Sequence, residues 1–171
     1  MKQLSALAIL VMTLGLLMLG GSRQAFAQPS CFGLAATLVG TPGDDVLTGT
    51  NGADVIMGLS GDDTIYGLDG EDKICGGPGA DTIEGGPAND MITGGSGQDY
   101  IYGGPGADSI EGNSGSDLIF GDDFSDGTGD DSIDGGPGND FLNGGLGADS
   151  CDGGAGTDNA AADCETLVSV P

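Results

Sequence analysis

Thirteen aspartates return at one position of a nine-residue period: Asp45, Asp54, Asp63, Asp72, Asp81, Asp90, Asp99, Asp108, Asp117, Asp131, Asp140, Asp149 and Asp158. Carboxylates in such a row have two chemistries open to them, proton transfer and the holding of a cation. Proton transfer finds little support, because the chain has no histidine, no Gly-x-Ser-x-Gly nucleophile turn and no metalloprotease motif. Acidic pairs such as Asp44-Asp45 read as ion ligands or solvated turn residues. We therefore expect a binding or structural protein and not an enzyme. Zinc and copper want His or Cys ligands, and the four cysteines are scattered. Calcium takes about six to eight oxygens at roughly 2.3–2.6 Å in flexible geometry, whereas magnesium prefers a strict octahedron and keeps its waters. The donor type points to multiple Ca²⁺ ions.

The aspartates sit in a register that opens at Gly40, as in GGPGADTIE at residues 76–84 and GGSGQDYIY at residues 94–102. The first position is Gly in all thirteen units. The fourth is Gly in twelve, with Ala88 the exception, and the eighth is Leu or Ile in eleven, followed by Cys151 and Ala160. The tenth unit, residues 121–134, is stretched to fourteen residues by FSDGT. Composition alone, with 37 glycines in 171 residues, would fit a disordered acidic linker. Disorder requires no phase, however, and period outranks composition here.

The elements that must position the aspartates follow from the same register. Side chains alternate along a strand, so the last three residues of each unit form a short strand that turns its central apolar residue inward and its neighbours outward. The first six residues must then reverse the chain, which the glycines permit. Pro42, Pro78, Pro87, Pro105 and Pro137 all fall at the third position, where a fixed φ and a missing N–H suit a turn. Two units make one coil of about 18 residues, so each unit stacks on the second one along. Rows of carboxylates then lie at the inter-strand spacing of about 4.8 Å and repel one another unless a cation lies between them. The chain is thus expected to fold on binding Ca²⁺, since the ion binds only the native state.

At these residues the chain resembles the haemolysin-type, or RTX, calcium-binding family, whose nonapeptide is G-G-x-G-x-D-x-U-x with U a large apolar residue. The match spans residues 40–161, 122 of the 171. The resemblance implies an all-β fold, a parallel β-roll (β-solenoid) of thirteen nine-residue units with degenerate end caps, and the thirteen sixth-position aspartates as its metal ligands. With each unit stacked on the second one along, thirteen units offer at most eleven regular sites. The resemblance extends neither to the toxins' C-terminal export signal nor to cytolysis, because the chain has no pore-forming segment and opens with a signal of its own.

That opening is Met1-Lys2-Gln3, an apolar run from Leu4 to Leu19 and Ala25-Phe26-Ala27. It reads as a secretory signal peptide over 1–27, cleaved after Ala27; an uncleaved anchor is the alternative reading of the apolar run. Residues 28–39 are expected to form an N-terminal cap, with Leu38 at an apolar position and Ala36 in place of the aspartate, and 162–171 a C-terminal cap with Leu167 and Val168 as a closing strand. The mature chain is expected outside the cell, with no membrane span. There Lys73 alone opposes 27 acidic residues, which excludes nucleic acid and anionic lipid as partners.

Cys31, Cys75, Cys151 and Cys164 all lie in the exported part, where thiols oxidise. Cys151–Cys164 and Cys31–Cys75 are the favoured pairs, although a regular cap would put Cys31 at the opposite edge from Cys75. The insertion DDFSDGT after Gly121 lacks the third-position acid, the bidentate Glu and the helical flanks of an EF-hand, and reads instead as a bulged turn with room for an irregular calcium site. Tyr66, Tyr102 and Phe120, with Tyr100, Leu118 and Phe141 on the same sheet, are outward-facing. They offer a surface for self-association or adhesion or simply pack edge to edge between strands. The function expected is a secreted calcium-ion-binding repeat protein, with a calcium-dependent surface adhesin or extracellular-matrix component as the alternative. Ice binding is disfavoured, because outward threonines such as Thr48, Thr64, Thr82 and Thr93 form no regular ladder.

Overall fold

A computed structural model describes residues 29–122, 128–160, 164 and 166–167. The expected signal segment, most of the inserted loop and Val168 lie outside these residues. The described chain is all-strand, a parallel β-solenoid of about seven turns with nine-residue periodicity. One sheet has seven strands: Val46–Thr48, Thr64–Tyr66, Thr82–Glu84, Tyr100–Tyr102, Leu118–Phe120, Phe141–Asn143 and Asn159–Ala160. The other has eight: Leu38–Val39, Val55–Met57, Lys73–Pro78, Met91–Ser96, Ser109–Ser114, Ser132–Asp134, Ser150–Asp152 and Thr166–Leu167. Odd-numbered units build the first sheet and even-numbered units the second.

Register follows the period. Ile65 pairs with Ile83 and Ile83 with Ile101 on one sheet, while Ile74 pairs with Ile92 and Ile92 with Ile110 on the other. The apolar eighth positions thereby stack into two rows that face each other across the interior. Ile56, Ile65, Ile74, Ile83, Ile92, Ile101, Ile119 and Leu142 are all fully buried. Because this core is one residue thick from each side, every strand contributes a single anchor, and a slip of one residue would expose it.

The turns carry a ladder of their own. The fourth-position amide donates to the third-position carbonyl of the unit one coil on, as in Gly61 to Pro78, Gly79 to Ser96 and Ala88 to Pro105. Proline thus sits where only its carbonyl is used. On the odd-unit edge the pairing is regular enough to extend Lys73–Pro78, Met91–Ser96 and Ser109–Ser114 to six residues, where the sequence pattern gives three. The insertion leaves the stacking intact, since Asp108 meets Asp131 across 23 residues just as Asp90 meets Asp108 across 18.

The ends depart from the repeat. Ser30–Cys31 and Leu34–Ala35 form an antiparallel hairpin instead of a coil, and Leu38–Val39 then enters the eight-stranded sheet. The hairpin brings Cys31 onto the outward-facing Cys75, and the two are bonded. The objection that a regular cap would separate them is removed because the cap is not regular. At the other end, Cys151 points into the core and bonds Cys164, and Thr166–Leu167 adds a last parallel strand over Ser150–Asp152.

Candidate metal centre

Each sixth-position aspartate follows the tight turn and precedes a strand, which fixes its backbone and aims its side chain along the stack. In every pair of stacked units, Oδ1 accepts a hydrogen bond from the amide of the aspartate one coil earlier. Asp45 N–H donates to Asp63 at 2.8 Å, Asp63 to Asp81 at 2.8 Å, Asp81 to Asp99 at 2.9 Å and Asp99 to Asp117 at 2.9 Å. On the even-numbered units, Asp54 N–H donates to Asp72 at 2.7 Å, Asp72 to Asp90 at 2.8 Å and Asp90 to Asp108 at 2.8 Å. The ladder continues through Asp131, Asp140, Asp149 and Asp158.

The second oxygen is left over. Oδ2 of Asp63, Asp72, Asp81, Asp90, Asp99, Asp108, Asp117, Asp131, Asp140 and Asp158 is buried and meets no hydrogen-bond donor. It lies beside the first-position glycine of its own unit and the first-position carbonyl one coil on. A methyl group on Gly58 would sit 2.3 Å from Asp63 Oδ2 and 2.6 Å from the Gly76 oxygen. The second- and fourth-position carbonyls also point into the space between coils, where methyl groups on Gly77 and Gly79 would lie 1.8 Å from the Leu59 oxygen and 1.9 Å from the Gly61 oxygen. Glycine is required at these positions by closeness to oxygen as much as by turn geometry. Ala88, the one exception, keeps a glycine-like φ of 108°, so its turn is strained and not rearranged.

Carboxylates stacked in this way are hard to keep charged. Burial pushes Asp81 up to about 6, Asp90 and Asp99 to about 7 and Asp131 to about 7. It pushes Asp108 to about 8, with Asp131, Asp90 and Asp122 adding to the rise and the Asp90 amide opposing it. Asp63, Asp72, Asp117 and Asp140 are raised for the same first reason.

The first two sites differ. Oδ2 of Asp45 accepts from the amide and hydroxyl of Thr41 at 2.6 and 2.9 Å, and Oδ2 of Asp54 from those of Thr50 at 2.7 and 2.8 Å. Burial raises Asp54, but these bonds and one from Thr37 leave it below the ordinary value. Asp45 and Asp54 therefore belong to the row by position while their spare oxygens are already engaged. The only sequence signal was threonine at the second position, where most later units have glycine. The fifth-position residues were also missed as structural. Asp44, Asp62, Asn89, Asp130 and Asn139 accept from the fifth-position amide one coil on, forming an outer ladder.

The donor set is therefore oxygen throughout, with carboxylates completed by carbonyls. Among the described residues no group of three or more His, Cys, Asp or Glu side chains gathers at one point, and all four cysteines are in disulfides. Acceptors without donors, in a cradle that a methyl group would fill, suit a hard cation of adaptable coordination. The sequence pattern of the RTX calcium-binding nonapeptide repeat (four copies) matches residues 39–74, 48–83, 76–110, 94–127 and 125–160. The chain belongs to the RTX calcium-binding nonapeptide repeat family. The RTX pattern thus covers both stacked rows of aspartates, including the unit with the insertion. No curated protein matches the chain significantly. No helix among the described residues is long and apolar enough to cross a membrane.

Proposed function

We propose that this chain is a secreted calcium-ion-binding repeat protein that folds on binding Ca²⁺ and has no catalytic activity of its own. The observation that carries this reading is the row of buried Oδ2 atoms without donors, in register with inward-turned carbonyls. Unpartnered buried acceptors and stacked negative charge oppose the fold, and divalent ions between coils relieve both. Family membership and two disulfides, which persist in oxidising surroundings, support binding after export. Far-ultraviolet circular dichroism with calcium and with chelator tests it. The β signal should appear only with calcium, and an unchanged β-rich spectrum in chelator would sink the proposal.

A second reading, calcium-dependent adhesion or self-association, draws on the outer face of the seven-stranded sheet. Tyr102 stacks on Phe120 at 4.9 Å, Tyr100 meets Tyr102 edge-on at 5.0 Å, and Phe141 follows Phe120 at 5.9 Å. Tyr66 is exposed but separated from Tyr102 in its row by Glu84, so the aromatic surface is a cluster and not a continuous stripe. Substituting Tyr66 and Tyr102 by serine should reduce sedimentation-detected association or surface adherence; no change in either would discard this reading.

A further inference from the structure

Asp122 stands at the second position of the tenth unit, where no other unit carries an acid. Its side chain is not in solvent, as an aspartate flanking a loop would ordinarily be, but is 1 % exposed. Both carboxylate oxygens lack a hydrogen-bond partner, a condition unlike that of the sixth-position aspartates from Asp63 onward, whose Oδ1 accepts from the amide of the aspartate one coil earlier. Burial pushes its carboxyl up to about 6, with the Asp149 carboxylate adding to the rise and the nearby amides of Gly129 and Leu146 easing it without forming a sound bond.

The surroundings of Asp122 are those of an inter-coil gap. A methyl group on Gly145, one coil on, would lie 2.5 Å from Asp122 Cβ, so only glycine there leaves the side chain room. In the same gap a methyl on Gly147 would lie 1.5 Å from the Gly129 oxygen and 3.0 Å from Asp149 Oδ1. Asp122, Asp149 and the Gly129 carbonyl thus face one space between the tenth and twelfth units. A surface groove lined by Gly106, Gly129, Asp130, Leu146 and Gly147 borders the gap at Gly129 and Gly147. At the second position every other unit has Thr, Leu, Gly or Asn.

We propose that this gap is the chain's tightest calcium site, because Asp122 adds a directly ligating carboxylate that no other repeat supplies. Affinity for calcium rises with the number of charged ligands, and a buried carboxylate with two unused oxygens is strongly disfavoured without a counter-ion. The inference rests on the calcium-binding reading above and sharpens it to one site.

Isothermal titration of the full mature chain with calcium alone tests it, comparing wild type with Asp122→Gly, which restores the commonest second-position residue, and Asp122→Asn, which keeps the shape without the charge. Wild type should show one ion bound about tenfold or more tightly than the others. Both variants should lose that step, keep the weaker class and reach the wild-type β spectrum at saturating calcium. If either variant retains the tight step, or if neither folds at saturating calcium, Asp122 is a packing residue and the proposal is overturned. A wild type that binds no calcium would instead sink the proposed function itself.

Discussion

A buried carboxylate oxygen with no donor destabilises the fold by about 1–3 kcal/mol, and more when charged, so the oxygens separate the thirteen aspartates into two kinds. Asp90 has one such oxygen, whereas both oxygens of Asp45 are outside that condition because Thr41 takes Oδ2 and the residue is half-exposed. Asp90→Asn should raise the calcium midpoint for folding several-fold, and Asp45→Asn should leave it nearly unchanged; equal shifts by circular dichroism would contradict the distinction. Protons compete for the same groups. Asp81, Asp90, Asp99, Asp108 and Asp131 have folded values of about 6 to 8, above the ordinary 3.8. Groups raised in this way favour the fold fully below the ordinary value, and that contribution is lost as pH rises through 6 to 8. Calcium-free protein should therefore hold more β-structure at pH 4 than at pH 8, and calcium should bind more weakly on acidification. A metal-free β signal that grew with pH would contradict this. The period made the aspartates legible in the sequence. It could not reveal that Thr41 and Thr50 satisfy two of them, because which oxygen remains spare is decided only when the turn closes.

Strands and turns divide the work unequally. A strand contributes one inward side chain, so Ile83→Ala, at a fully buried position, should cost about 2–5 kcal/mol in denaturant unfolding at saturating calcium. Turns depend on what is missing. Gly79→Ala would press a methyl against the Gly61 carbonyl at a φ of 148°, while Gly52→Ala meets nothing within 4 Å. The first should weaken both folding and calcium binding and the second neither, and a tolerated Gly79→Ala in both assays would argue against carbonyls lining the sites. The strand-and-turn alternation was readable because glycine, aspartate and isoleucine recur in phase. The hairpin at Ser30–Ala35 was not, because its two strands are antiparallel and belong to no period; the Cys31–Cys75 pair was named from the sequence, but how the chain reaches it was not.

At the scale of the whole molecule, two parallel stacks share one narrow core, and their ends are closed by different means, a bonded hairpin at one and Cys151–Cys164 with a last strand at the other. The stacking of each unit on the second one along has a consequence for length. The coil counts in eighteens: removing residues 76–93 takes out one full coil and leaves every later strand on its own sheet. Removing 76–84 takes out half a coil and exchanges the sheets for everything that follows. Tyr100, Tyr102 and Phe120 would then leave the face that bears Tyr66, although no retained residue had changed. The five extra residues of the tenth unit escape this rule because Asp108 still meets Asp131 across them. Parity, like the reading frame of a gene, is thus a property carried by no single residue, and duplications of this chain that preserve its faces must come in pairs of units.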